Sequence, residues 1–177
     1  MDKTRSPSVF GLLITIVVVI VALIYGFISL NTEDPLWFVA SFDEQPEEIF
    51  INCYGEEVVL VPEDPQFDGL VTIVNNILSR RKNWDSLTIS EETYEDYQRN
   101  TQMMIMELYY SQQVRIHSFY KYFSNLDSII IPLDGRHAKT NAIFGRSNNF
   151  NTAGSLHFDD IPAIREHVEN QGICITP

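Results

Sequence analysis

Twenty-two consecutive residues, Val9 to Leu30 (VFGLLITIVVVIVALIYGFISL), carry no charge. A helix rises about 1.5 Å per residue, so a run of this length reaches across a hydrocarbon core of about 30 Å. In lipid every backbone donor and acceptor must be satisfied inside the segment, and a helix does this. The many Val and Ile residues, mediocre helix formers in water, are therefore little handicap there. Two other readings compete. The core helix of a soluble protein usually has a shorter apolar run. A cleaved signal peptide also has a shorter one, and it ends in a small-x-small site. The exit here is Tyr25-Gly26-Phe27-Ile28-Ser29-Leu30, with no such site and no nearby cysteine to accept a lipid. The expectation is an uncleaved anchor.

The flanks orient it. Lys3 and Arg5 precede the run, Glu33 and Asp34 follow it, and no Lys or Arg stands between Leu30 and Arg80. The positive-inside rule then predicts a single-pass protein of the cell membrane, N-terminus cytoplasmic and remainder outside. Tyr25 and Trp37 are interfacial candidates on the outer side. The run holds no ionisable group except Tyr25, which argues against an ion path. Gly11 and Gly26 are not in G-x-x-x-G spacing, so nothing marks a dimerising span. The chain divides into a cytoplasmic tail (1–8), a transmembrane helix (9–30), an acidic connector (31–48) and an extracytoplasmic α+β domain (49–177).

Of 24 acids and 12 bases, only Asp2, Lys3 and Arg5 precede the run, which leaves 23 acids and 10 bases beyond it, a formal net of −13. That argues against nonspecific nucleic-acid binding and against docking on anionic lipid by charge alone. Cys53 and Cys174 are the only cysteines. Outside the cytoplasm they could form a disulfide, worth on the order of 4 kcal/mol in the chain-entropy model. Two buried free thiols are the alternative. Neither lies in a C-x-x-C, so no redox or zinc motif is present.

Periodicity supplies the elements. Leu36-Trp37-Phe38-Val39, between Pro35 and Pro46, is an apolar patch that lies on the membrane surface or tucks under the domain. Ile49 to Val61 predicts a β-hairpin turning at Tyr54-Gly55-Glu56. Asp64 and Pro65 mark a helix start, and Phe67, Leu70, Val71, Val74, Ile77 and Leu78 form its apolar stripe. Arg80, Arg81 and Lys82 suit the C-terminal dipole of that helix or form a basic patch. Ser90 is placed to cap a helix running to Arg99, with Glu92, Glu95 and Asp96 on one face. Met103 to Phe123 predicts two strands joined at Ser111-Gln112-Gln113. His117, in the second, has no ligand-spaced partner. Ser128 to Leu133 and Asn141 to Arg146 predict two more strands, and Asn148 to Gly154 a loop. Asp159 or Asp160 caps a last helix that stops at Gly172, and Ile173-Cys174-Ile175 pairs as an edge or simply packs. The sum is an α+β fold, an antiparallel sheet packed by two or three helices and preceded by the transmembrane helix.

The densest polar cluster is Asp134, Arg136, His137 and Lys139, with Arg146 across a hairpin. Asp134 could orient His137 as a base is oriented in a triad, and Asp134, Arg136, His137 and Arg146 are the candidate ligand-binding residues. A polar hairpin turn is the plainer reading. No nucleophile elbow, Gly-rich phosphate loop or metalloprotease motif accompanies them. No catalytic residue, metal site or cofactor is assigned.

The segments PLDGRHAKTNAIFG and VVLVPEDPQFDGLVTIVNNIL resemble stretches of uncharacterised bacterial single-span membrane-anchored proteins. The resemblance implies the anchored architecture and no activity. The expected function is that of a noncatalytic interaction or accessory domain. Its partners would be the lipid bilayer and an integral membrane protein complex. A membrane-tethered enzyme or ligand-binding domain centred on the Asp134–His137 loop, and a structural cell-envelope protein, are the alternatives.

Overall fold

The computed structural model describes residues 8–174. The tail preceding Ser8, with Lys3 and Arg5, lies outside them, as does Ile175. The apolar run forms one helix, α1 (Val9–Thr32), which continues two residues past Leu30. It is long and apolar enough to cross a membrane, and its most apolar stretch is not buried by the rest of the chain. Twenty-four residues at about 1.5 Å each make it roughly 36 Å long.

The remainder is α+β. An antiparallel hairpin, β1 (Glu48–Cys53) and β2 (Glu56–Leu60), leads into α2 (Phe67–Leu78). Tyr54 and Gly55 both have positive φ, 55° and 94°. A two-residue hairpin turn needs this pair of angles, and glycine meets it without strain. Helix α2 starts two residues later than Pro65 suggests, because the Asp64 carboxylate instead accepts a hydrogen bond from the Val61 N–H at 2.8 Å. Its six stripe residues are all buried. Next come β3 (Asn83–Asp85) and α3 (Glu91–Arg99), where the Ser90 hydroxyl caps the Thr93 N–H at 3.1 Å.

The segment 103–123 departs from expectation. Met104 to Val114 is one strand, β4, whose pairing with the next strand shifts register between Tyr109 and Val114 but which does not reverse at Ser111-Gln112-Gln113. Those three residues include no Gly, Pro, Asn or Asp to reverse a chain. Residues beyond Val114 leave the sheet, pass through a 3-10 turn at Lys121–Phe123, and reverse at Asn125, whose φ is 58°. Then follow β5 (Leu126–Asp134), β6 (Ala142–Ser147), β7 (Phe150–Asn151), β8 (Ser155–His157) and α4 (Ile161–Asn170). The expected Asn-rich loop is thus a tight hairpin, with Asn148 and Asn149 in left-handed conformation joining β6 to β7.

All strand pairs are antiparallel, and the sheet order is β2-β1-β4-β5-β6-β8-β3, with β7 beside β6. One face carries Ile49, Ile51, Met104, Met106, Leu108, Ile129, Ile131 and Ile143 against α2 and α4. The other carries Ile105, Ile130 and Phe144 against Tyr97 of α3. Strand alternation assigns neighbouring side chains to opposite faces, which is how one sheet serves two cores. Asn52, fully buried on β1, donates to the carbonyls of Tyr97 and Asn100 and so fixes the C-terminal end of α3. Cys53 and Cys174 are joined by a disulfide that ties the chain beyond α4 to the end of β1.

Candidate functional site

The four residues singled out around the β5–β6 connection do not converge. Asp134, at the end of β5, accepts a hydrogen bond from the Tyr54 hydroxyl at 2.7 Å and pairs with Arg165 of α4 at 2.9 Å. Burial alone would raise its pKa. The Tyr54 hydroxyl, the Gly135 N–H and the Arg165 guanidinium outweigh that and hold it below the ordinary value. Burial and the Asp134 partnership push Tyr54 up to about 12. His137, three residues on, turns toward α3. Its Nδ1 meets the Tyr97 hydroxyl, and its ring lies 5.9 Å from that of Phe144. Burial, with Arg136 beside it, lowers the His137 pKa. Folding therefore favours the neutral imidazole. Asp134 faces α4 and His137 faces α3, so the aspartate does not orient the histidine.

Arg136 lines a polar depression with Glu92, Glu95, Asp96 and Arg99 of α3, whereas Asp134 lines another with Arg165. Among the described residues no group of three or more His, Cys, Asp or Glu is arranged to hold a metal ion. Arg146 belongs to a third setting. Its guanidinium forks onto Glu91 at 3.1 and 3.2 Å, reaches the Asn149 carbonyl and Asn151, and lies 3.6 Å from the Tyr94 ring centroid. Beside it Glu107, fully buried, accepts from Ser128, Gln98 and Tyr94 at 2.5, 2.8 and 3.1 Å. These groups satisfy one another and bind α3 to the sheet, which is the ordinary requirement for burying charge.

A different assembly stands where α1 ends. Glu33 closes the helix in left-handed conformation, with φ 55°. Arg115 donates to the carbonyls of Glu33 and Thr32 at 3.0 and 3.4 Å, placing a cation on the negative end of the helix. Asp34, only 3% exposed, bonds His117 Nδ1 at 2.9 Å and accepts from the Leu36 N–H at 2.8 Å. Residues 35–38 then turn back along the helix. The Tyr25 hydroxyl donates to the Pro35 carbonyl at 3.1 Å, and the Tyr25 and Phe38 rings meet at 6.3 Å. Trp37 packs on Phe119 with ring centroids 4.4 Å apart. Of the two places open to the Leu36–Val39 patch, residues 37 and 38 take an intermediate one, held between α1 and the 115–120 loop.

Next to this clamp is an open depression of about 370 Å³ lined by residues 37–40, 80–83 and 117–120. Arg80, Arg81 and Lys82 enter it from beyond α2, after the helix has closed at Ser79, so they do not sit in its last turn. Arg80 pairs with Asp160, the N-cap of α4. The Lys82 ammonium and the Trp37 indole N–H are buried and make no hydrogen bond among the described residues. Burial depresses the Lys82 pKa to about 8, although the nearby Asp34 charge favours the protonated form. These parts are far apart in the sequence. His117 lies in a segment with strand-like alternation and Asp34 in the acidic connector, and no local pattern relates positions 83 residues apart. The one hint was compositional, three consecutive cations in an otherwise acidic stretch.

The chain matches no known protein family, no curated protein and no solved structure.

Proposed function

We propose that this chain is a noncatalytic single-pass membrane protein that presents its α+β domain in a fixed attitude at the outer membrane surface. The domain serves as an interaction or accessory module for an integral membrane protein complex. The observation that carries the reading is the clamp at the exit of α1. Arg115, the Asp34–His117 pair, the Tyr25 hydroxyl and the Trp37–Phe119 contact join the helix to the domain without a loose linker. A leader destined for removal has no use for such a junction. The Cys53–Cys174 disulfide suits an oxidising compartment, and Lys3 and Arg5 suit a cytoplasmic N-terminus. The flanks of α1, exposed along the apolar stretch, leave room for a partner helix in the bilayer.

Protease added to sealed, right-side-out membranes should digest the domain and spare the N-terminal tail; the opposite pattern would refute the orientation. Crosslinking in intact cells, followed by purification in mild detergent, should return an integral membrane protein with the chain. Recovery of the free chain alone would remove the complex from the reading.

A further inference from the structure

The cations of this domain are unevenly placed. Beyond α1 the chain is strongly acidic, yet Arg80, Arg81 and Lys82, three of its ten bases, line a depression that abuts the exit of α1. Depth matters here. Tyr25 lies seven residues before Thr32, about 10 Å along the axis at 1.5 Å per residue. Because Phe38 packs on Tyr25, residues 35–38 descend beside the last two turns of the helix. With α1 across the bilayer, residues 35–38 run from the headgroup zone to the outer edge of the acyl chains, where aromatic side chains and cations are at home. Leu36, Phe38 and Phe119 expose about half of their surface at this level, as expected of side chains facing the boundary between glycerol and acyl chains.

We propose that this depression holds the phosphate of one anionic phospholipid headgroup from the leaflet into which α1 emerges, with Arg81 and Lys82 as the phosphate ligands and Trp37 as a further donor. The inference rests on α1 spanning the bilayer. Arg80 is already engaged by Asp160 and is not counted as a ligand, and Asp34 is hydrogen-bonded to His117 rather than to Lys82, so it does not occupy the ammonium in place of the phosphate. Lys82 brings an ammonium that no described residue hydrogen-bonds, and Trp37 an indole N–H in the same condition. A buried donor without a partner is costly, and a phosphate oxygen satisfies both kinds of donor. The acidity of the remaining surface adds direction. Other faces are repelled by an anionic leaflet within a Debye length of about 8 Å, so only this one settles on it.

The test uses the full chain in nanodiscs of phosphatidylcholine doped with phosphatidylglycerol of matched acyl chains, extracted in mild detergent and weighed by native mass spectrometry. One phosphatidylglycerol should be retained in preference to phosphatidylcholine. Arg81→Gln, at an exposed position, and Lys82→Met, which keeps the side-chain length, should each lower that retention about fivefold. Arg99→Gln, at an exposed position on α3, should leave it unchanged. Equal retention of the two lipids, or an equal loss in Arg99→Gln, would overturn the site. Displacement of the lipid by an equal concentration of glycerol 3-phosphate would overturn it too, by making the pocket one for soluble phosphate. Insertion is read separately by alkaline carbonate extraction. A chain that washes off refutes the anchor and the lipid site together, whereas an inserted chain with no lipid preference refutes the lipid site alone.

Discussion

Two regions of this molecule hold an aspartate, a histidine and an arginine, and they behave oppositely. In the β5–β6 connection Asp134, Arg136 and His137 are near neighbours in sequence, yet the aspartate binds Tyr54 and Arg165 while the histidine binds Tyr97. At the end of α1, Asp34 and His117 are separated by 83 residues and lie 2.9 Å apart. Arg115 completes that group on the helix carbonyls. The difference follows from chain geometry. At the sheet end, a turn through left-handed residues such as His137, φ 65°, sends successive side chains toward opposite layers. A clamp, in contrast, requires two distant segments to be packed together, and only the fold does that.

Parallel substitutions would break or sharpen this contrast. His117→Ala should have the largest effect, because it leaves the Asp34 carboxylate buried and short of a partner. The expected cost is about 2–4 kcal/mol of local stability. Hydrogen exchange of the full chain in detergent should show the Leu36 and Val39 amides opening far more readily. His137→Ala should cost less, about 1 kcal/mol in urea unfolding, since it removes one hydrogen bond from the Tyr97 hydroxyl and no charge partner. If the two substitutions cost the same, the clamp is not the stronger junction.

Lys82→Met should act in the opposite direction. The folded pKa of Lys82, about 8, lies below its ordinary value of 10.5, so holding the charge destabilises the protein at pH 7. That penalty fades as pH rises from about 8 through 10.5. In detergent without anionic lipid, the variant should melt slightly higher than the parent at pH 7, and the gap should close by about pH 11. A gap that persists at high pH would trace the gain to packing rather than to charge. The smallest effect belongs to Asp134. Its pKa is lowered by folding, so its contribution is present above the ordinary carboxylate value and lost as pH falls through the folded one. Asp134→Asn should lower stability modestly near neutrality, and the difference from the parent should vanish as pH falls through the folded pKa, which flattens the acid limb of the stability–pH profile. An acid limb identical to the parent's would show that Tyr54 and Arg165 do not hold the charged form.

The regular elements were largely readable in advance because each is local. The Tyr54-Gly55 turn, the α2 stripe and the Ser90 cap depend on residues within one or two turns of each other. Where the reading failed, a local signal was weak or ambiguous. Alternation in Val114 to Phe123 looks like a strand, but the segment leaves the sheet and bonds the end of α1. Asn148 and Asn149, read as a loop, are a two-residue turn. Of the candidate site, every side chain was visible and no partnership was. Glu91, the carboxylate that Arg146 takes, lies 55 residues away on α3.

The composition of Val9 to Leu30 alone determined that it is an apolar helix of membrane-crossing length, because backbone satisfaction and apolar transfer are properties of the segment itself. Its flanking charges set the expected orientation. Only tertiary structure decided what the helix is attached to. Asp34 finds His117, Trp37 finds Phe119, and Arg80, Arg81 and Lys82 arrive beside them from α2. These are contacts between segments far apart in the chain. Their energy depends on where the sheet and helices place each segment, which no single stretch of sequence encodes.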